Sequence, residues 1–282
     1  MPAHAWKLKT RTLEWQERPL VMAVLNVTPD SFSDGGRYLD PEQALDRALE
    51  MEAEGADIID LGGESTRPGA TPISAEVELA RILPVARRLR GRLKIPLSID
   101  TWKADVAVAA LQEGAEIVND ISAGRWDRLL WPAVSHHRAG YVLMHALDRP
   151  ATMQKEPRYA DVSAEIADFL AKFLARAEEN GLALESIVCD PGFGFGKTPG
   201  HNLTLLRDLE SFRALRRPVL VGLSRKSFLK FIGGSQPLEI TNELAHMWAA
   251  ARGAAIWRVH DVPAALRAAR LAGAFGRGAD TA

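Results

Sequence analysis

Eight short apolar runs, separated by longer segments with helical periodicity, constrain what this chain can fold into. The runs are residues 20–27, 57–61, 96–99, 116–118, 141–144, 186–189, 218–222 and 255–259. Each has the length of a strand, several are rich in Val and Ile, and most are apolar on both faces. Runs of this kind predict the buried strands of a parallel sheet.

The segments between the runs carry helix signals. Asp40 followed by Pro41 is the pattern of an N-cap with proline at the first helical position, and that helix is predicted to end at Gly55. Ser74 is predicted to cap the next helix. A later helix carries one apolar stripe at spacings of three and four residues, formed by Ile166, Phe169, Leu170, Phe173, Leu174 and Ala177.

Eight strand–helix units in 282 residues predict an α/β protein of the (β/α)8 TIM-barrel class, with a closed parallel sheet and outer helices. A doubly wound open sheet shows the same alternation and is the alternative. Eight repeats favour the barrel, because closure removes both exposed sheet edges.

The chain has no segment with the composition of a linker, so we expect one barrel domain rather than two domains. The barrel is predicted over residues 19–276. Residues 1–18 are expected to form a short N-terminal hairpin or cap below it, and residues 277–282 a frayed tail.

Composition restricts the classes of function. The formal net charge is −1 with 35 basic and 36 acidic residues, so no global positive field favours nucleic acid or an anionic membrane. No apolar run reaches the ~18 residues of a membrane span, and the start lacks a signal-peptide core. The single cysteine, Cys189, excludes an internal disulfide framework. Together these features predict a cytoplasmic enzyme.

Every predicted strand ends in hydrogen-bonding or charged groups. In chain order these are Asn26, Asp60, Asp100, Asn119 with Asp120, His145, Asp190, Ser224 to Ser227, and Arg258 with His260. The carboxyl ends of barrel strands share one rim, where barrel enzymes place their active sites. Polar groups collected there need partners, so the pattern predicts a substrate site.

The rim groups fall into two sets. Asp60, Asp100, Asp190 and Asn119 offer oxygen acceptors that suit a flat heterocycle with ring N–H and amino groups. The groups that are or can become cationic suit phosphate oxygens, and they are Arg67, Lys226, Arg258 and His260. The predicted ligand is therefore a polar heterocycle that carries a phosphate or diphosphate. Asn26 can offer a carbonyl oxygen to Mg2+.

Some sequence patterns that resemble binding motifs do not predict a binding site here. Residues 191–198 read P-G-F-G-F-G-K-T, in which Pro191 replaces the first glycine that a P-loop needs. We expect a loop whose Phe193 and Phe195 wall a pocket. No Cys/His cluster has zinc spacing, and Cys189 is predicted to be a small core residue.

Nine motifs in order resemble those of the dihydropteroate synthase family, over about residues 19–274. They are N-V-T-P-D-S-F-S-D-G-G (26–36), I-D-L-G-G-E-S-T-R-P-G (59–69), S-I-D-T (98–101), N-D-I-S (119–122), M-H (144–145), T-M-Q (152–154), D-P-G-F-G-F-G-K-T (190–198), S-R-K-S-F (224–228) and R-V-H-D-V (258–262). The resemblance implies a (β/α)8 barrel, usually a homodimer. It implies a Mg2+-requiring transferase that joins 4-aminobenzoate to 6-hydroxymethyl-7,8-dihydropterin diphosphate and releases 7,8-dihydropteroate and diphosphate.

The resemblance also implies roles for residues. Pterin contacts are expected from Asp100, Asn119, Met144, Asp190, Gly222 and Lys226. Diphosphate contacts are expected from Asn26, Thr66, Arg258 and His260, with Mg2+ at Asn26. The side facing 4-aminobenzoate, which is also where sulfonamides bind in the family, is expected to hold Thr66, Arg67, Pro68, Phe195 and Ser227. Catalytic roles are expected for Asp100, Asp190, Lys226, Arg258 and His260.

Two loops, 28–39 and 63–73, are long for barrel loops and are predicted to act as closing lids. Residues 241–248 are expected to lie in a helix at the dimer interface. After His145 the sequence departs from the usual family pattern, with Ala146, Leu147 and Asp148 in its place. Two alternatives stay open: a non-catalytic paralogue that binds pterin, and a pterin-dependent methyltransferase, which needs no diphosphate clamp.

Overall fold

The computed structural model describes residues 5–28 and 40–276, and in it eight parallel strands close into a barrel. The barrel strands are β3 (Leu20–Asn26), β4 (Ile58–Gly62), β5 (Leu97–Asp100), β6 (Ile117–Asp120), β7 (Gly140–Met144), β8 (Ile187–Asp190), β9 (Val219–Val221) and β10 (Ala254–Val259). They neighbour one another in chain order, and β10 pairs with β3 to close the ring. The predicted barrel is confirmed and the open sheet is excluded.

Helices follow the strands and surround the barrel. They are α1 (Pro41–Glu54), α2 (Ala75–Leu89), α3 (Ala104–Gln112), α4 (Leu130–His137), α5 (Val162–Glu179), α6 (Pro199–Arg207), α7 (Ser227–Gly233), α8 (Leu238–Ala251) and α9 (Val262–Gly276). Short 3-10 turns lie at Leu184–Ser186 and Leu209–Leu215. No helix within the described ranges combines the length and the apolarity that crossing a membrane requires.

The predicted helix signals act as expected. Asp40 accepts a hydrogen bond from the Glu42 N–H, and Gly55 ends α1 in the left-handed conformation at φ 104°. Ser74 caps α2 by accepting from the Val77 N–H. The apolar stripe of α5 packs into the core. These local rules therefore place the helix ends and their buried faces.

Alternation along the strands separates two cores. On β3, Val21, Ala23 and Leu25 belong to the core between barrel and helices, whereas Leu20 and Met22 belong to a second cluster. Every second residue of a strand points to the same side of the sheet. The second cluster therefore fills the barrel interior, and it also contains Ile58, Ile117, Val142, Val188, Leu220 and Ile256.

The N-terminal hairpin closes the base of this interior. It consists of β1 (Ala5–Lys7) and β2 (Thr12–Glu14), paired antiparallel. Trp6 is fully buried in the interior cluster, and its Nε1 donates to the carbonyl oxygen of Ser186 at 2.7 Å. The predicted short N-terminal hairpin is confirmed, formed by β1 and β2. The predicted tail, 277–282, lies outside the described residues, as do residues 29–39 of the first predicted lid.

We expect Trp6→Ala to lower the free energy of unfolding by about 3–5 kcal/mol, because it removes a fully buried indole and its hydrogen bond. Urea denaturation followed by circular dichroism measures the change. Lys7→Ala, at the exposed neighbouring position of β1, is the control and is expected to change stability by less than about 0.5 kcal/mol. Equal effects of the two variants would show that Trp6 does not seal the barrel.

Candidate active site

A cavity of about 850 Å3 opens at the carboxyl ends of the barrel strands. Every residue for which the family resemblance implied a role lines it, whereas Asp60, Asp120 and His145, which also follow predicted strands, do not. The lining residues with an implied role are Asn26, Thr66, Arg67, Pro68, Asp100, Asn119, Met144, Asp190, Phe195, Gly222, Lys226, Ser227, Arg258 and His260. Residues up to 234 positions apart in the chain are therefore brought to one site (26 to 260).

The same alternation that fills the barrel interior also supplies the cavity floor. On several strands a polar residue follows two positions after an apolar interior residue, on the same side of the sheet, as in Ile58 to Asp60, Ile117 to Asn119 and Val188 to Asp190. Ile256 and Arg258 repeat this relation on β10. The interior thus changes from apolar to polar one layer from its open end.

An arginine between two carboxylates is the centre of this polar layer. Arg258 donates from Nε to Asp60 Oδ2 at 2.6 Å and from Nη2 to Asp100 Oδ2 at 2.7 Å. Asn119 donates from Nδ2 to the same oxygen of Asp60 at 3.0 Å. The sequence grouped Arg258 with free cations for phosphate. The structure instead pairs part of its guanidinium with Asp60, a fully buried residue that the sequence grouped with the acceptors for a heterocycle and that does not line the cavity.

Burial shifts the proton affinities of the two acids that face the cavity. It raises the pKa of Asp100 to about 7, although the positive charge of Arg258 opposes the shift. It raises the pKa of Asp190 to about 6, opposed by the Gly192 N–H, which donates to Asp190 Oδ1 at 2.7 Å, and by Lys226. Ring N–H and amino donors of a bound heterocycle would favour the charged form of both carboxylates.

Lys226 extends across the cavity beside an aromatic ring. Its Nζ lies 4.4 Å from the centroid of Phe195. Burial and the nearby Arg258 lower the pKa of Lys226 to about 8, and Asp190 opposes this shift. Gly194 lies against this side chain, since a Cβ there would come 3.2 Å from Lys226 Cδ. The loop after β8 thus shapes the position of the lysine.

Lys197 organises the loop after β8 from below. It is buried, and its Nζ donates to the carbonyl oxygens of Gly192 at 2.8 Å and Phe195 at 3.1 Å. Its Nζ also lies 2.9 Å from His145 Nδ1. The sequence treated this lysine only as part of a failed P-loop pattern. Its role here is to hold a loop that carries Phe193 and Phe195, both of which line the cavity as predicted.

The surroundings of His260 favour the uncharged form of its ring. Burial, reinforced by the positive charge of Arg258, lowers its pKa to about 3. The Nδ1 atom lies 3.1 Å from Ser224 Oγ, and the His260 backbone N–H donates to the same oxygen at 3.3 Å. The sequence grouped His260 with residues that are or can become cationic. With its pKa this low, the His260 ring offers a hydrogen bond rather than a positive charge.

The loop that carries Thr66, Arg67 and Pro68 is anchored at both ends by one acid. Glu64 accepts from the Ile73 N–H at 3.0 Å through Oε1 and from Lys103 Nζ at 2.7 Å through Oε2. Lys103 also donates to the buried carboxylate of Glu78. The sequence missed this buried network, because its members are separated by up to 39 positions and show no motif spacing.

Asn26 alone could provide only one oxygen ligand, which makes a weak metal site. A Cβ at Gly62 would lie 2.8 Å from Asn26 Oδ1, so the absence of a side chain at Gly62 leaves space for that amide. No group of three His, Cys, Asp or Glu residues suited to a metal occurs in the described part of the chain. Mg2+ commonly combines few protein ligands with phosphate oxygens and water. The donor set therefore fits a cation that arrives with a phosphorylated ligand.

Two further cavity residues had no predicted role. Gln154 donates from Nε2 to the Gly194 carbonyl oxygen at 2.5 Å and thereby contacts the loop after β8. Arg225 has a left-handed backbone at φ 60°, and its N–H donates to Asn242 Oδ1 at 3.3 Å. Gln154 belongs to the T-M-Q motif and Arg225 to the S-R-K-S-F motif, so the sequence marks both residues without indicating their contacts.

The fold and the cavity together define a barrel enzyme that acts on small polar molecules. The family described as "Pterin binding enzyme" matches residues 22–260. The dihydropteroate synthase of Synechocystis is 42% identical over 273 residues, which cover 94% of this chain and 92% of that one. The chain thus belongs to the pterin-binding enzymes and, within them, to the dihydropteroate synthase family.

Solved structures give the same relationship. The Yersinia pestis dihydropteroate synthase, in complex with a sulfonamide drug, has a TM-score of 0.90 and 38% identity, with 96% of this chain and 99% of that one covered. The Xanthomonas albilineans enzyme with 4-aminobenzoic acid has a TM-score of 0.88 and 42% identity, with coverage of 96% and 98%. The resemblance inferred from nine motifs is confirmed.

We expect the affinity for a pterin to fall as the pH is lowered from about 8 to about 5. The carboxylates of Asp100 and Asp190, with pKa values of about 7 and about 6, take up protons in this interval and lose acceptor strength. Calorimetry with a pterin that lacks phosphate excludes phosphate titration from the result. Asp190→Asn should bind more weakly at high pH and retain a smaller pH dependence. A flat profile in the unsubstituted protein would contradict this account.

Proposed function

We propose that this protein joins 4-aminobenzoate to 6-hydroxymethyl-7,8-dihydropterin diphosphate, giving 7,8-dihydropteroate and diphosphate in folate biosynthesis. One observation carries the proposal. A single cavity holds acid and amide acceptors at Asp100, Asn119 and Asp190, and a basic edge at Arg258 and His260. Those two surfaces match the two chemically different ends of a pterin diphosphate.

The heterocycle binds against the acceptors. Asp190 and Asn119 take its ring N–H and amino hydrogens, Lys226 donates to its oxo and ring-nitrogen side, and Met144 packs against it. Gly222, which has no side chain, leaves room beside Arg258. Burial makes these hydrogen bonds strong, because water hydrogen-bonds to a buried acceptor less well than the ligand does.

The reaction needs no covalent intermediate on the protein. The nitrogen of 4-aminobenzoate supplies an electron pair to the pterin methylene, the methylene–oxygen bond breaks, and the pair of that bond leaves with diphosphate. The attacking nitrogen then loses one proton to solvent. A path in which the bond to diphosphate breaks early is favoured for two reasons. The pterin ring stabilises a positive methylene, and the negative charges of Asp100 and Asp190 stabilise it further.

The leaving diphosphate gathers charge at the basic edge. Arg258, His260 and Thr66 donate to its oxygens, and the arriving anion raises the proton affinity of His260 from its present low value. Mg2+, held by Asn26 and by the diphosphate itself, would neutralise further charge on the leaving group. Because Arg258 also contacts Asp60 and Asp100, its position is set before the substrate binds.

4-Aminobenzoate is placed at the outer part of the cavity. Arg67 offers a positive charge to its carboxylate, and Thr66, Pro68, Phe195 and Ser227 border the ring. A pterin-dependent methyltransferase has no use for Arg67 or for a diphosphate clamp, and no observation favours that alternative. The cytoplasmic location inferred from the single cysteine stays a prediction.

A homodimer is part of the proposal. An apolar face on α7, α8 and α9 exposes Phe231 by 76%, Leu244 by 61% and Phe275 by 75% of their surfaces. Trp248 and Leu271 extend it. Exposed apolar residues collected on three helices favour an interaction surface, and a second copy of the chain is the occupant that the family resemblance implies.

Purified protein with the pterin diphosphate, labelled 4-aminobenzoate and Mg2+ should form labelled dihydropteroate, and EDTA should abolish the product. Lys226→Met removes a donor to the pterin and should reduce kcat/KM at least about 100-fold, with weaker pterin binding by calorimetry. Lys230→Met, an exposed position on α7, is the control and should retain full activity. Absence of product with pterin binding intact would favour the non-catalytic paralogue.

Phe231→Asp combined with Leu244→Asp should convert a dimer into a monomer in sedimentation experiments, because two charges replace exposed apolar contacts. Leu203→Asp, an exposed leucine on α6, is the matched control and should leave the dimer intact. A monomer in the unsubstituted protein at micromolar concentration would contradict the proposed homodimer.

A further inference from the structure

The segment between β7 and α5, residues 145–161, contacts both walls of the outer cavity. On one side the Gly69 N–H donates to the Pro150 carbonyl oxygen at 2.9 Å. On the other side Gln154 Nε2 donates to the Gly194 carbonyl oxygen at 2.5 Å. Gly69 directly follows Pro68, and Gly194 directly precedes Phe195. The segment therefore connects the two loops that border the outer part of the cavity.

Arg149 holds this segment against two tryptophans. Its guanidinium carbon lies 4.8 Å from the centroid of one Trp102 ring and 5.0 Å from that of Trp126. The two indoles meet edge to face, with centroids 5.7 Å apart and planes at 85°. A guanidinium placed on two aromatic surfaces gains two cation–π contacts. We name Trp102, Trp126 and Arg149 the indole clamp; none of the three lines the cavity.

The clamp is joined to the anchor of the Thr66–Pro68 loop. Lys103 Nζ lies 4.7 Å from the Trp102 ring centroid and donates to Glu64, which fixes both ends of that loop. Trp102 follows β5 directly and Trp126 lies in the loop after β6. The loops after β4, β5, β6 and β7 are thus connected through Glu64, Lys103 and the clamp.

The backbone of Arg149 transmits the hold of its side chain. Its carbonyl oxygen accepts from the N–H groups of Thr152 at 2.9 Å and Met153 at 2.8 Å. Asp148 accepts from the Arg149 N–H at 2.8 Å and from Thr152 Oγ1 at 2.8 Å. Residues 148–153 therefore form one turn, and the position of this turn determines where the Pro150 carbonyl meets Gly69.

We propose that Arg149, held between Trp102 and Trp126, is a positioning residue that sets the Thr66–Pro68 loop for 4-aminobenzoate. The proposal rests on the function proposed above. It acts through the Pro150–Gly69 hydrogen bond, without contact to either substrate. Loss of the clamp releases the outer wall of the cavity and leaves Asp100, Asn119 and Asp190 at the floor unchanged.

The test compares Arg149→Ala with Arg149→Lys and with Arg158→Ala. Arg158 lies in the same segment and is exposed, so its removal controls for loss of one positive charge. In Arg149→Ala the KM for 4-aminobenzoate should rise about tenfold, with the KM for the pterin diphosphate and the melting temperature unchanged. Arg149→Lys keeps a cation near the rings and should restore this KM to within about threefold. Arg158→Ala should match the unsubstituted enzyme.

Hydrogen exchange without substrates tests the same proposal independently of activity. The Gly69 amide should exchange faster in Arg149→Ala than in Arg158→Ala, because its acceptor is no longer held. Unchanged exchange at Gly69 overturns the proposal, even if no turnover is found and the proposed function itself fails. A parallel rise of both KM values, or a lowered melting temperature with no selective effect, overturns it as well.

Discussion

The interaction of Arg258 with Asp60 and Asp100 is the constraint on which the site depends. Three charged groups inside a barrel lose hydration that is worth several kcal/mol per ion, and only mutual pairing compensates for that loss. Removal of Arg258 would leave two buried carboxylates without their cation. Outside this pairing, Asp100 keeps a second carboxylate oxygen and Arg258 keeps further N–H donors. The same side chains can therefore stabilise the structure and contact a substrate.

The barrel supplies this arrangement through simple alternation. Interior positions near the hairpin are apolar and fill the space with close packing, whereas on four of the strands the next interior position is polar: Asp60, Asn119, Asp190 and Arg258. Charged groups tolerate this location because the open end admits ligand and because the neighbouring strands provide partners. Loops then add what the strands lack: Lys197 supports one wall, and Glu64 with Lys103 supports the other.

Much of this could be predicted from the sequence. Apolar runs located the strands, capping residues such as Asp40 and Ser74 located helix starts, and closure of eight units brought most of the predicted rim residues to one cavity. Pairing inside the site could not be predicted. Arg258 and Asp60 are 198 positions apart, and nothing local distinguishes an arginine that binds phosphate from one that neutralises carboxylates. The neutral state of His260 likewise depends on neighbours that only the fold reveals.

The hairpin beneath the barrel has an electrostatic consequence. Trp6 excludes water from the end of the interior opposite to the substrate, one apolar layer below Asp60. The raised pKa of Asp100 comes chiefly from burial, and burial means low polarisability on all sides, including from below. The N-terminal hairpin carries no catalytic group, yet it belongs to the apolar packing that lies below the charged layer of the barrel. The hairpin therefore shields the charged layer from solvent on the side away from the cavity.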